Sequence, residues 1–177
     1  MSLLTSPGHR TVGGLSVSLR DQVRSGDLAG VRRITESAGF FSAAEIEVAV
    51  ELVQARLSQG VLSGYHFLFV DSAPPSGESL GYSCFGPIAC TVSSFDLYWI
   101  AVQDRFRGLG LGTLLLAESE AAIRRMGGSR VYVETSSRSH YDPTRMFYSR
   151  RGYRQEALIP NFYAPGDAKI IYLKELS

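Results

Sequence analysis

The chain has 177 residues, 45% of them hydrophobic and 20% charged, and a formal net charge of +1. Its length suits one domain with a core of its own, and its composition excludes a disordered chain. The near-neutral balance gives no field for nucleic acid or a membrane surface, and no apolar run approaches the ~18 residues of a membrane span.

Residues 1–14 hold Ser, Pro and Gly with little periodicity, so a flexible tail is expected there and one domain over 15–177. No charged flank precedes an apolar run, which argues against a signal peptide and for a cytoplasmic protein. Residues 16–23 offer a short strand through Val17, Leu19 and Val23. Ser25-Gly26-Asp27 opens a helix with Asp27 as N-cap, and Leu28, Val31 and Ile34 recur at helical spacing up to Gly39. Ser42 and Glu45 form a capping box ahead of a second helix. Its stripe is Ile46, Ala49, Val50, Val53 and Leu57, and Gly60 stops it.

The pattern then turns to strands. Residues 65–70 are aromatic and apolar, Pro74, Pro75 and Gly77 make a turn, 80–90 read as a strand bent near Gly86-Pro87, and 95–102 as another. Together they predict an antiparallel meander. Cys84 and Cys90 fall in this stretch. Two cysteines make neither a disulfide framework nor a zinc site, so buried thiols in a reducing compartment and no metal are expected.

A helix of about 15 residues runs from a glycine-rich turn to Gly127-Gly128. Leu111, Leu115, Ala122 and Met126 keep its inward spacing, with Glu120 and Arg124 paired outside. Residues 130–135 alternate as a strand, and Pro143 opens a short helix that ends before Gly152. Strands near 153–158 and 168–174 flank a loop from Asn161 to Asp167. No repeat or linker interrupts this order, and the class is α+β.

The turn Arg107-Gly108-Leu109-Gly110-Leu111-Gly112 between a strand and a helix is an anion site in the making. The first amides of a helix lack internal partners and point beyond its end, where the macrodipole is positive. Glycines admit a phosphate to the backbone, and Arg107 adds a full charge. No Gly-Lys-Ser/Thr follows, so this is not a P-loop; Thr113 stands where a dinucleotide fingerprint needs its third glycine.

Arg107-x-x-Gly110-x-Gly112 resembles the signature of the GNAT superfamily of acyl-CoA-dependent N-acetyltransferases. Tyr98-Trp99-Ile100-Ala101-Val102 resembles that family's fourth strand, Gly112-Thr113-Leu114-Leu115 the helix start after it, residues 130–136 its fifth strand, and Met146 to Tyr153 its closing element. The resemblance implies a GNAT-like mixed, mainly antiparallel twisted sheet flanked by helices, with splayed fourth and fifth strands, over 15–177. It also implies acetyl-CoA as acyl donor, no metal, and direct attack by an amine in a ternary complex. On this sequence the pyrophosphate would fall to Arg107, Gly108, Gly110, Gly112 and Thr113, and pantetheine to the main chain of Ile100, Ala101 and Val102.

Direct attack needs a neutral amine, and removing a proton from an alkyl ammonium of pKa about 10.4 costs ~4–5 kcal/mol at pH 7. Asp96 is the first candidate base: a lone carboxylate in an apolar strand, with alternation setting Asp96, Tyr98 and Ile100 on one face. A structural carboxylate is the equal alternative, and Glu134 is the second candidate. Tyr148 stands where the family places its general-acid tyrosine. Where many members of that family place an asparagine this chain has Tyr141, which leaves a pantetheine contact either missing or rebuilt from Ser136, Ser137 or Asp142; Arg150, Arg151 and Arg154 read as a solvated face. The resemblance would place the acceptor, a small-molecule or peptide amine, near Phe40, Phe41, Phe162 and Tyr163, with no nucleic acid or membrane partner expected and a homodimer left open. Two other readings are a non-catalytic acyl-CoA-binding regulatory module and a nucleotide-phosphate binder.

Overall fold

The computed structural model describes residues 3–4, 9–74 and 76–176. Its elements in chain order are β1 (His9–Val12), β2 (Leu15–Arg20), α1 (Asp27–Ala38), α2 (Ala43–Gln59), β3 (His66–Ser72), β4 (Ser79–Pro87), β5 (Ser94–Val102), α3 (Leu111–Arg125), β6 (Arg130–Ser136), α4 (Asp142–Ser149), β7 (Arg154–Ala164) and β8 (Asp167–Glu175). The strands form one sheet in the order β1-β2-β3-β4-β5-β6-β8-β7. Every pairing is antiparallel except β5 with β6. This is the mixed, mainly antiparallel α+β architecture expected.

Both faces of the sheet are covered, which is why residues 67–70 are apolar without alternation. Phe67 and Phe69 meet Val31 and Ile34 of α1 and Ala49 and Val53 of α2 on one face. Leu68 and Val70 meet Leu111, Leu115 and Ile123 of α3 on the other, in a layer that Tyr148 of α4 joins. The Ser42–Glu45 capping box is formed, with Glu45 N–H donating to Ser42 Oγ at 3.2 Å and Ser42 N–H to Glu45 Oε2 at 2.7 Å.

Several expectations change. His9–Val12 is a strand and not a tail, closed onto β2 by the two-residue turn Gly13-Gly14, a strong hairpin signal passed over because the strand itself is polar. Met1, Ser2 and residues 5–8 of that tail lie outside the described residues, as does Pro75 of the expected turn. The strand expected over 16–23 ends at Arg20. Asp27 is not the N-cap of α1; Gly26 is, while Asp27 holds Arg20 at 2.8 Å. Arg20 also reaches Asp71 at 2.8 Å, so one buried guanidinium ties β2, α1 and β3 together. Glu120 is not outside paired with Arg124 but buried, bound by Lys174 Nζ at 2.7 Å and the Tyr153 hydroxyl at 3.1 Å. Cys84 is buried, yet Cys90 is exposed. Residues 161–164, expected in a loop, continue β7, so the β7–β8 connection is a tight hairpin in which Asn161 Oδ1 accepts from Gly166 N–H at 2.8 Å.

Candidate active site

The site begins where β5 and β6 part. Parallel pairing joins Ser94 to Arg130, Phe95 to Val131 and Asp96 to Tyr132, and then stops. From Leu97 onward the β6-facing edge of β5 has no strand partner, while its other edge stays paired to β4 as far as Gly81–Val102. The gap widens into a cleft of about 720 Å³ lined by Leu97 to Ile100 of β5 and Val133 to Ser136 of β6. The segment between α1 and α2, α4 and the β7–β8 hairpin close it through Phe41, Tyr148 and Tyr163.

A bulge aims the upper wall. Phe85 pairs with Leu97 but Cys84 with Trp99, which leaves Tyr98 as an extra residue. Alternation is therefore reset, and Ile100 packs in the same layer as Phe95 and Leu97, with Trp99 in the opposite one. The single face expected for Asp96, Tyr98 and Ile100 does not exist. Tyr98 projects into the cleft, 40% exposed, and its ring meets Tyr65 at 5.5 Å.

Asp96 sits at the last paired position before the gap and does not itself line the cleft. Desolvation raises its carboxyl to about 6, Glu134 adds repulsion and Lys169 opposes both. Glu134 does line the cleft, but Lys169 Nζ holds it at 2.6 Å, a partner absent from the sequence reading. The same ammonium lies 3.8 Å from the Phe162 ring centroid, so Phe162 serves Lys169 and is not a lining residue. Phe40, Phe41 and Tyr163 do line the cleft.

Tyr148 opens onto the cleft although only 3% exposed. Phe147, Tyr153 and Tyr172 surround its ring at 5.3, 5.4 and 6.4 Å. Burial pushes its hydroxyl well above the ordinary tyrosine value. Thr135 of β6, 5% exposed, also lines the cleft with its buried Oγ1 unpartnered. Its signal was a hydroxyl at an inward position of an apolar strand. Of the residues expected to rebuild a pantetheine contact, Ser136 lines the cleft and donates to Asp167 at 2.6 Å. Ser137 Oγ accepts from Ala168 N–H at 2.8 Å, and Asp142 binds Arg145.

At the other end, the glycine turn delivers the start of α3. Gly108 and Gly110 adopt φ of +76° and +91°, a region that favours glycine, and Gly110 caps the helix. A Cβ on Gly112 would lie 3.5 Å from the Phe147 ring. The Arg107 guanidinium is engaged, donating to Ala38 O at 3.0 Å and pairing with Asp104 at 3.1 Å. A second guanidinium stands at the same helix start: Arg151 donates to Thr113 Oγ1 and lies 3.8 Å from the Phe147 centroid, with Nε buried and unpartnered. It is not the solvated cation expected.

A family model described as an acetyltransferase (GNAT) domain matches residues 63–155. A solved structure from Desulfovibrio desulfuricans, of a protein assigned to the GNAT family of acetyltransferases, is 44% identical, with a TM-score of 0.87 over 91% of this chain and 99% of that one. An uncharacterized N-acetyltransferase of Methanocaldococcus jannaschii is 34% identical over 76 residues, which is 43% of this chain and about half (48%) of that protein. The Escherichia coli ribosomal-protein-S18-alanine N-acetyltransferase shares the fold at 18% identity, with a TM-score of 0.70 over 91% of this chain and 94% of that one.

Proposed function

The chain belongs to the GNAT family of acetyltransferases, and from that premise we propose that it moves the acetyl group of acetyl-CoA to a primary amine by direct attack in a ternary complex. The observation that carries this reading is the unpaired edge of β5, which leads from the glycine turn at α3 to the buried hydroxyl of Tyr148.

The residues present fit the donor. A Cβ on Gly108 would meet nothing within 4 Å, so the turn leaves open space beside its backbone. The amides from Gly108 to Thr113 would hold a pyrophosphate there, with Gly110 and Gly112 allowing its close approach and the charges of Arg107 and Arg151 beside it. The main chain of Ile100, Ala101 and Val102 would pair with the pantetheine amides as a strand would. The orphaned Thr135 hydroxyl faces the same gap. Bound there, acetyl-CoA supplies a thioester carbonyl for the amine to attack.

Asp96 takes the ammonium proton through water that reaches it past Tyr98 and Glu134. Its raised pKa leaves it ionised at pH 7 yet a better base than an ordinary aspartate. Glu134 is the second candidate, less suited because Lys169 already holds it. As the new C–N bond forms and the C–S bond breaks, negative charge gathers on sulfur. Tyr148, kept protonated by burial, gives its proton to that sulfur, and the second proton shed by the acylated nitrogen restores the phenol.

The test is CoA thiol release from acetyl-CoA with each of a set of amines, coupled to mass spectrometry of the acceptor. Amine-dependent release with an acetylated product supports the proposal. Donor binding with no amine-dependent release overturns it in favour of a non-catalytic module.

A further inference from the structure

Resting on that acetyl-transfer reading, we infer that the acceptor is a small monoamine: one primary amine on an apolar or aromatic body, with no carboxylate and no second cation. The acceptor part of the cleft is a wall of rings. Phe40 and Phe41 lie 4.3 Å apart between centroids, Phe41 lies 5.0 Å from Trp99, and Phe40 lies 5.5 Å from Tyr141. All four line the cleft and none is fully buried. Ring faces take up apolar bodies, and their quadrupole attracts an ammonium. The protein carries its own example of an alkylammonium so held, since Lys169 Nζ sits against both Phe162 and Glu134.

Two of the three carboxylates in the lining are paired with cations, and the third, Glu45, is held by neutral donors alone. Arg138 holds Asp167 at 2.9 Å, and Lys169 holds Glu134. Glu45 accepts from the Ser42 N–H and hydroxyl, both at 2.7 Å, and from the Tyr141 hydroxyl at 3.4 Å. A substrate carboxylate would have to displace Asp167 from Arg138, and a second ammonium at Glu134 or Asp167 would have to displace a cation already seated, while at Glu45 it would meet a carboxylate already accepting three hydrogen bonds. Moving an unmatched carboxylate among these rings is unfavourable, since the ring faces repel an anion. On the β6–α4 side of the rim the main chain is already engaged and offers an extended peptide little to pair with. The Ser136 and Arg138 carbonyls accept from Arg145, and Ser137 N–H donates to Ala168 O at 2.9 Å.

The experiment compares kcat/KM at saturating acetyl-CoA for four acceptors. They are 2-phenylethylamine, phenylalanine (the same body with a carboxylate), spermidine, and a short peptide with an N-terminal phenylalanine. The expected result is 2-phenylethylamine ahead of each of the others by about tenfold or more. Phe41→Leu, which keeps apolar volume and loses the ring, should raise its KM severalfold. An unchanged acetyl-CoA Kd by calorimetry would show that the variant is folded, and Phe40→Leu serves if it is not. Phenylalanine, spermidine or the peptide equal to or ahead of 2-phenylethylamine would overturn the acceptor class and leave acetyl transfer standing. Bound acetyl-CoA with none of the four acetylated, in an enzyme that also acetylates no other amine, would overturn both.

Discussion

Asp96 carries two opposed expectations. Its carboxyl titrates near 6 because the fold desolvates it, so the native state disfavours its ionised form. For a group raised above its unfolded value of about 3.9, stability is lost as pH climbs from 4 through 6. Asp96→Asn should therefore stabilise the protein at pH 7 by ~1–2 kcal/mol, discounted because the group is only half-buried, and the gain should vanish below pH 4. The same change should slow turnover ~10²–10⁴-fold, less at high pH where free amine is abundant. Denaturation curves at pH 4 and 7 and a kcat/KM pH profile check the two halves; near-normal turnover at pH 7 would move the role to Glu134 or to water alone. Tyr148→Phe should lower kcat and leave the acetyl-CoA Kd alone, as for an interaction made only in the transition state. Wild-type single-turnover rates would reduce Tyr148 to a packing residue. Thr135→Val removes an unpartnered buried hydroxyl, so the ligand-free protein should gain up to ~1–2 kcal/mol while acetyl-CoA binds more weakly; thermal shifts with and without donor separate these. At this scale the sequence marked Asp96, Glu134 and Tyr148 from residue type and resemblance. It could not reveal that Lys169 neutralises Glu134, because that pair spans strands 35 positions apart in the chain.

Helices and strands were legible wherever local chemistry sets them. The Ser42–Glu45 box, the Gly39 stop and the glycine turn before α3 all sit where turn and capping residues put them. The bulge at Tyr98 was not legible, because it is defined by which β4 residues lie opposite and not by any residue of β5 itself. It matters for function, since it turns Tyr98 into the cleft. The Asp27 cap was misread for a similar reason: a carboxylate that would satisfy helix amides is claimed instead by Arg20. That buried network gives a stability prediction. Arg20→Ala leaves Asp27 and Asp71 buried without their cation and should cost about 3–5 kcal/mol by urea denaturation at neutral pH. In the glycine turn, Gly110→Pro demands a φ near −65° where the backbone holds +91°, so the start of α3 must move. Acetyl-CoA affinity should fall about tenfold or more in a folded variant. Unchanged affinity by calorimetry would remove the turn from donor binding.

The whole molecule is one sheet opened along a single seam. β5 and β6 are the only parallel neighbours among the described strands, and their pairing ends after three positions. Everything the proposed reaction needs is brought to that seam from both faces: the α3 amides at one end, Tyr148 from one layer, and the rings around Phe41 and Trp99 from the other. The order of elements foretold a meander followed by a glycine turn and helix. The extent of the seam depends on how far β6 leans to β8, a long-range pairing that runs from Arg130 to Ser136. The central claim is that this seam lets an amine meet the donor directly, with no acyl group parked on the protein. The most direct measurement is a two-substrate kinetic matrix with radiolabelled acetyl-CoA. Intersecting double-reciprocal lines, with label passing to the amine and none retained by the denatured protein, are the predicted result. Parallel lines with label fixed to the chain would contradict the account.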